Sequence, residues 1–220
     1  MSGAMIRRPI RNTGERRPPP PLRRRIAPLL LLVSAGACAA PPLRTFILTG
    51  SGTDAVDTGP RAAADRPMLL LRPVDLPDHL DTRDMLVRVG PNQLRSSRTG
   101  RWGDRLSVGV TDVLAEDLQA LLPGLNVSTL APAGKGFRRL SLEMPHFELD
   151  DAGTLRLQAR WHLDGSDAGA VRRLGGGEIA LRQDAVPAGD AAEAAAMSEM
   201  LRRLAEALVP GIAGSGSGAS

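Results

Sequence analysis

"LRLQARWHL", residues 155–163, alternates without a break: Leu155, Leu157, Ala159, Trp161 and Leu163 fall on one side, Arg156, Gln158, Arg160 and His162 on the other. A period of two is that of a β-strand with one face buried and one in water, the arrangement favoured by antiparallel sheets. Upstream, Leu140, Leu142 and Met144 repeat the pattern, and Asp150-Asp151-Ala152-Gly153 supplies the turn between the two runs. The pair reads as a hairpin. Downstream, Gly165 to Gly169 turns again, and Val171 to Leu181 gives a further strand interrupted by Gly175-Gly176-Gly177.

Nearer the N-terminus the strand signals are shorter. Thr45 to Thr49 is rich in β-branched and aromatic residues, and Met68-Leu69-Leu70-Leu71 is an apolar run suited to a central strand buried on both faces. Gly50 to Arg66, between them, reads as a loop. Met85 to Val89 and Gln93 to Ser97 flank a Gly90-Pro91-Asn92 turn, and Val127 to Leu130 is a short strand. Two stretches change to helical spacing. Leu106, Val110, Val113, Leu114, Leu118, Leu121 and Leu122 share one helix face, closed by Pro123-Gly124. Asp190-Ala191-Ala192-Glu193 resembles a capping box and opens a helix with Met197, Met200, Leu201, Leu204 and Leu208 on one face, stopped by Pro210-Gly211. The expectation is one α+β domain over residues 45–210, a mixed sheet of six or seven strands packed against two amphipathic helices, followed by a flexible tail at 211–220.

The first 37 of the 220 residues differ from the rest. They carry eight arginines and one acid, Glu15, then an uncharged run from Ile26 to Ala37. A basic region, a short apolar region and small residues describe a secretory signal, and the run falls short of the roughly 20 apolar residues that cross a bilayer. Met1 or Met5 could start the chain. Of 28 basic and 24 acidic residues, 20 and 23 remain after residue 37, a net of about −3. With three Phe, two Trp and no Tyr as well, the domain lacks both the basic footprint and the stacking platforms of a nucleic-acid binder.

The one cysteine, Cys38, has no disulfide partner in the chain. It precedes Ala39-Ala40-Pro41-Pro42, a tether at 38–44 rather than a rigid scaffold for a nucleophile. Ala35-Gly36-Ala37-Cys38 resembles the bacterial lipobox, with Ala35 in place of the usual leucine. That resemblance implies peptidase recognition at Ala35, Gly36 and Ala37 and a diacylglycerol on the Cys38 thiol. Ala39, rather than Asp, after the cysteine implies sorting to the outer membrane. An ordinary cleaved signal is the alternative.

Chemistry is harder to find. Asp75, Asp78, His79, Asp81 and Asp84 form an acidic stretch whose spacing matches no calcium loop, and it reads as a solvated loop. His146 and His162 have no second ligand near them in sequence. Gly134-Lys135-Gly136 is not a phosphate loop, because Thr129 stands where its first glycine belongs. The triple glycine does not open a helix, and no serine sits in a nucleophile elbow. Neither a catalytic residue, a metal site nor a cofactor is expected.

Several segments between Arg66 and Val127 carry a resemblance: Pro73-Val74, Leu76-Pro77 and Leu80-Asp81; Leu86-Val87-Arg88 with Asn92-Gln93-Leu94; Arg101-Trp102 before Leu106; and Leu114-Ala115-Glu116-Asp117-Leu118. Together with Thr45-Phe46-Ile47-Leu48 and, more loosely, Phe147, Trp161 and Met197-Ser198, they resemble the PqiC-type family of ABC-type transport auxiliary lipoproteins. The resemblance implies a non-catalytic envelope lipoprotein, held by its anchor on the periplasmic face of the outer membrane. Its implied partners are an MCE-domain protein with the associated permease and ATPase. Lipid, phospholipid among the candidates, would pass at their junction. Whether the protein forms a homo-oligomer is left open. Arg101 and Trp102 fit two readings, a partner-docking pair or a tryptophan packed beneath the helix start. The rival functions are a periplasmic lipoprotein hydrolase acting on lipid or cell wall, and a structural cell-wall lipoprotein. An enzyme would show a cleft holding an acid or base of strongly perturbed pKa.

Overall fold

A run of four apolar residues can be buried on both faces only inside a sheet, and Met68–Leu71 is placed so. In a computed structural model of the chain, which describes residues 42–51, 66–131, 136–167 and 170–214, this strand (β2) lies between two parallel neighbours, Asn126–Ser128 (β5) and Phe137–Asp150 (β6). Asp84–Gly90 (β3) also pairs parallel with β6, at its other end, where Val87 meets Leu149. The long β6 therefore offers one edge to two strands, and an isolated bridge between Asp75 and Glu143 lies between them. Its other edge pairs antiparallel with Leu155–Asp167 (β7), which pairs with Ala170–Gln183 (β8). Gln93–Trp102 (β4) completes a hairpin with β3, and Arg44–Phe46 (β1) runs parallel beside β4.

The α+β class and mixed sheet are as expected, and the described strands number eight. Two helices, Leu106–Leu121 (α1) and Asp190–Gly214 (α2), contribute their apolar faces to a single core with the sheet. The signal and lipobox at 1–37, Cys38, most of the tether, most of the loop between β1 and β2, Gly134-Lys135 and residues 215–220 lie outside the described residues.

Several elements differ from expectation, among them β7, which runs through Gly165 to Asp167, and three differences bear on the core. First, β1 ends at Phe46, so Leu48 reaches the core from irregular chain and Ile47 is exposed. Second, the alternation of β6 breaks once. Leu140, Leu142 and Met144 are buried, and then Phe147 and Leu149. An extra residue between Glu143 and His146 forms a β-bulge that restores the inward parity. Pro145, which cannot donate to a ladder, sits in it.

Third, α2 does not stop at Pro210-Gly211 but runs to Gly214. Pro210 lies on the exposed side. Ile212 is fully buried, and its carbonyl accepts a bond from Arg138 Nη1 at 2.9 Å. Core burial and that bond hold the last turn against the helix-breaking tendency of proline.

Gly211 explains the triple glycine as well. Trp161 pairs with Gly177, and Gly175 lies beside it, so the half-buried indole rests over two residues without side chains. From above, Gly211 closes on the same ring so tightly that a Cβ there would overlap it. Alanine is the better helix former by about 1 kcal/mol, yet Gly211→Ala should lower stability by about 1–3 kcal/mol through overpacking. Thermal melting checks this. Trp161→Leu in the same background should recover part of the loss, and a stabilised Gly211→Ala would refute the contact.

Candidate functional site

Strand alternation decides the fate of Arg101 and Trp102. β4 continues past Ser97 to Trp102, so the pair ends a strand instead of opening the helix. Consecutive strand residues face opposite ways. Trp102 is 3 % exposed and packs in the core, whereas Arg101 is exposed. Of the two readings, the packing one describes Trp102, a core residue that lines a small hollow of about 190 Å³ with Ile47 and Gly109, while Arg101 is the exposed member of the pair.

The acidic stretch at 75–84 is not merely solvated. Asp78 and His79 are exposed, but Val74, Leu76 and Leu80 are buried. Asp81 Oδ1 accepts the Ser107 amide at 3.0 Å, and its Oδ2 meets Arg105 Nη2 at 2.5 Å. Thus α1, whose own cap residue makes no side-chain bond, is capped from a distant loop. Partial burial opposes ionisation of Asp81, yet the Ser107 donors and Arg105 hold its carboxyl below the ordinary value. Among the described residues no three His, Cys, Asp or Glu side chains converge as metal ligands.

The chemically unusual place lies at the other helix. The β6–β7 turn is built by Asp150, whose Oδ1 accepts the Ala152 and Thr154 amides at 3.1 and 2.8 Å. Gly153 adopts a φ of +79° there, and its carbonyl accepts the Val186 amide at 2.9 Å. This ties the turn to the Val186–Gly189 segment that leads into α2. Between them, β4 and the first turn of α2, a cavity of about 350 Å³ opens, with Arg95, Ser97, Asp151, Asp190 and Glu193 in its wall.

Glu193 decides the character of this cavity. It is 4 % exposed. The expected capping box is not formed: the Glu193 amide donates to the Gly189 carbonyl at 3.0 Å, and Asp190 Oδ2 accepts the Thr99 hydroxyl at 2.6 Å. The Glu193 carboxyl has no hydrogen-bond or ion-pair partner among the described residues. Burial, with the neighbouring Asp190 charge, pushes its pKa up to about 7. The sequence held the signal. The face defined by Met197, Met200, Leu201, Leu204 and Leu208, extended back by one turn, lands on Glu193.

Ser97, also in the wall, is occupied: its Oγ accepts the Thr99 and Gly100 amides at 3.1 and 3.0 Å. Arg95 is exposed and makes no ion pair among the described residues.

Residues 51–209 match the family model described as ABC-type transport auxiliary lipoprotein component. No curated protein matches the chain. Among solved structures, an uncharacterized protein superposes with a TM-score of 0.62 at 15 % identity, over 78 % of this chain and 99 % of that one. Protein XCC0632 from Xanthomonas campestris, of the family DUF330, gives 0.55 at 16 % identity, over 76 % of this chain and 92 % of its own. At these identities the likeness is one of fold.

Proposed function

Because this chain belongs to the family of ABC-type transport auxiliary lipoprotein components, we propose that it is the accessory, non-catalytic subunit of an MCE-type system moving lipid between membranes. The observation that carries the reading is the family match across most of the folded domain. The lipobox-like Ala35-Gly36-Ala37-Cys38 supports an acylated Cys38 on the periplasmic face of the outer membrane. Among the described residues, no helix is long and apolar enough to cross a membrane. Several acyl chains on one residue would anchor the domain stably, at about 0.8 kcal/mol per buried methylene. The folded domain would then dock an MCE-domain protein linked to a permease and an ATPase. Arg101 is the exposed member of the pair proposed for that contact.

Purification of the full chain from its native membranes in mild detergent tests both parts. Mass spectrometry should find acylated Cys38 at the mature N-terminus, and the MCE-domain protein should co-purify. A mature protein with a free Cys38 thiol, or one starting elsewhere, would sink the anchor. Recovery of acylated protein without any transporter component would sink the accessory role.

One observation favours the hydrolase as a second reading: a carboxyl of raised pKa in a cavity is what an enzyme requires of a general acid. Against it, Ser97 and one oxygen of Asp190 are engaged in structural bonds. An accessory subunit free of catalysis at this site should turn over neither lipid nor cell-wall substrate, with Glu193 intact or replaced by Gln. Turnover of a lipid or cell-wall substrate that vanishes in Glu193→Gln would establish the enzyme.

A further inference from the structure

Three regions away from Arg101 differ in their chemistry. The hollow beside Trp102 is small and has no uncommitted charge buried in it. The polar face of β6, β7 and β8 is laced with ion pairs, among them Arg88–Glu148, Arg160–Glu143 and Arg173–Asp164. The cavity at the start of α2 differs, because two charged groups in its lining, Glu193 and Arg95, have no partner among the described residues.

Its wall holds opposite charges. Asp150 is engaged by turn amides and by Arg156 at 2.9 Å, and Asp190 shares one oxygen with Thr99. Glu193, buried and unpartnered among the described residues, lines the cavity, and so does Arg95, which is uncommitted among those residues. A buried carboxylate without a partner is costly unless something supplies the opposite charge. The acids do not converge as a metal cage, and the volume, about 350 Å³, is that of a small-molecule site rather than of an ion. A simple anion would be repelled by Glu193 and Asp190. A simple cation would leave Arg95, whose planar fork suits oxyanions, without use.

We propose that this cavity binds a small zwitterion, an ammonium joined to an oxyanion, with the ammonium against Glu193 and Asp190 and the oxyanion against Arg95. The same chemistry occurs in the phosphoethanolamine head group of a lipid and in free amino-acid-like molecules. The inference stands on the cavity and does not depend on the accessory role.

Isothermal titration calorimetry on the detergent-solubilised full chain, at mildly alkaline pH, tests it with three probes: glycerophosphoethanolamine, a short-chain phosphatidylethanolamine below its micellar concentration, and β-alanine. At least one should bind saturably with unit stoichiometry, and the tightest identifies the source as soluble phosphodiester, lipid or carboxylate. Glycerol 3-phosphate, which lacks the ammonium, and ethanolamine, which lacks the oxyanion, should bind at least tenfold more weakly. Glu193→Gln and Arg95→Gln should each weaken the best probe by at least tenfold, with circular dichroism showing the native fold. Arg95 is exposed, so its variant stays informative even if the buried one perturbs folding. Binding by none of the three probes, equal binding of glycerol 3-phosphate, or an unchanged affinity in either folded variant would overturn the proposal. Those outcomes are independent of whether a transporter co-purifies.

Discussion

Glu193→Gln should make the protein more stable at alkaline pH by roughly 3 kcal/mol, the free-energy equivalent of moving a carboxyl from its ordinary pKa to that of the native state. The native pKa is about 7 against an ordinary 4.5. Between those values the folded protein holds a proton that the unfolded chain has released. Stability therefore falls as pH rises through this window, and the full cost is present above it. Glutamine does not titrate and escapes the cost. Urea unfolding of both proteins across a pH series measures the difference. It should be near its minimum below pH 4.5, grow toward pH 7 and then level off. A difference that stays flat would mean that the carboxyl is solvated or paired in the native state. The other charged groups in the cavity wall, Arg95, Asp150, Asp151 and Asp190, are present in both proteins and cancel to first order. A residue that weakens the fold where it is ionised fits a site kept for binding rather than for stability.

Trp102→Ala should cost about 3–5 kcal/mol, the range for emptying a buried large aromatic site. Trp102 is 3 % exposed and packs in the common core. Arg101→Ala, one residue away on the exposed face, should stay within about 0.5 kcal/mol. Thermal and denaturant melts of the two variants separate core from surface. A Trp102→Ala protein of unchanged stability that failed to bind its partner would restore the indole as a docking anchor. A destabilised Arg101→Ala would show that its side chain has an unrecognised structural role.

Legibility in the sequence followed the range of the interactions. The period-two run at 155–163 and the helical spacing at 106–122 were readable because each depends only on which way one element faces the core. The parity shift at Pro145 was not, since the bulge is defined against the opposing strand. Gly175-Gly176-Gly177 lies in a strand, but its partner, Trp161 beneath Gly211, joins two strands and a helix. Pro210-Gly211 looked like a stop because local propensity says so. Burial of Ile212 and the Arg138 bond, both tertiary, override it. Asp190 and Glu193 matched a capping box by spacing alone. In the fold Asp190 accepts instead from Thr99, far away in the chain, and Glu193 lines the cavity beside the turn at Asp150–Gly153.

The double use of one edge of β6 sets an order of events during folding. β6, β7 and β8 follow one another in sequence and pair antiparallel, so their contacts close short loops. The parallel partners come from far away: Arg44 must find Gly100, Leu69 must find Arg138, and Val87 must find Leu149. Loop-closure entropy makes such distant pairings slow. The meander is thus the natural nucleus, and β6 is the template on which β2 and β3 later assemble. Weakening Leu157 or Leu163 should slow refolding, whereas weakening Leu69 should chiefly hasten unfolding.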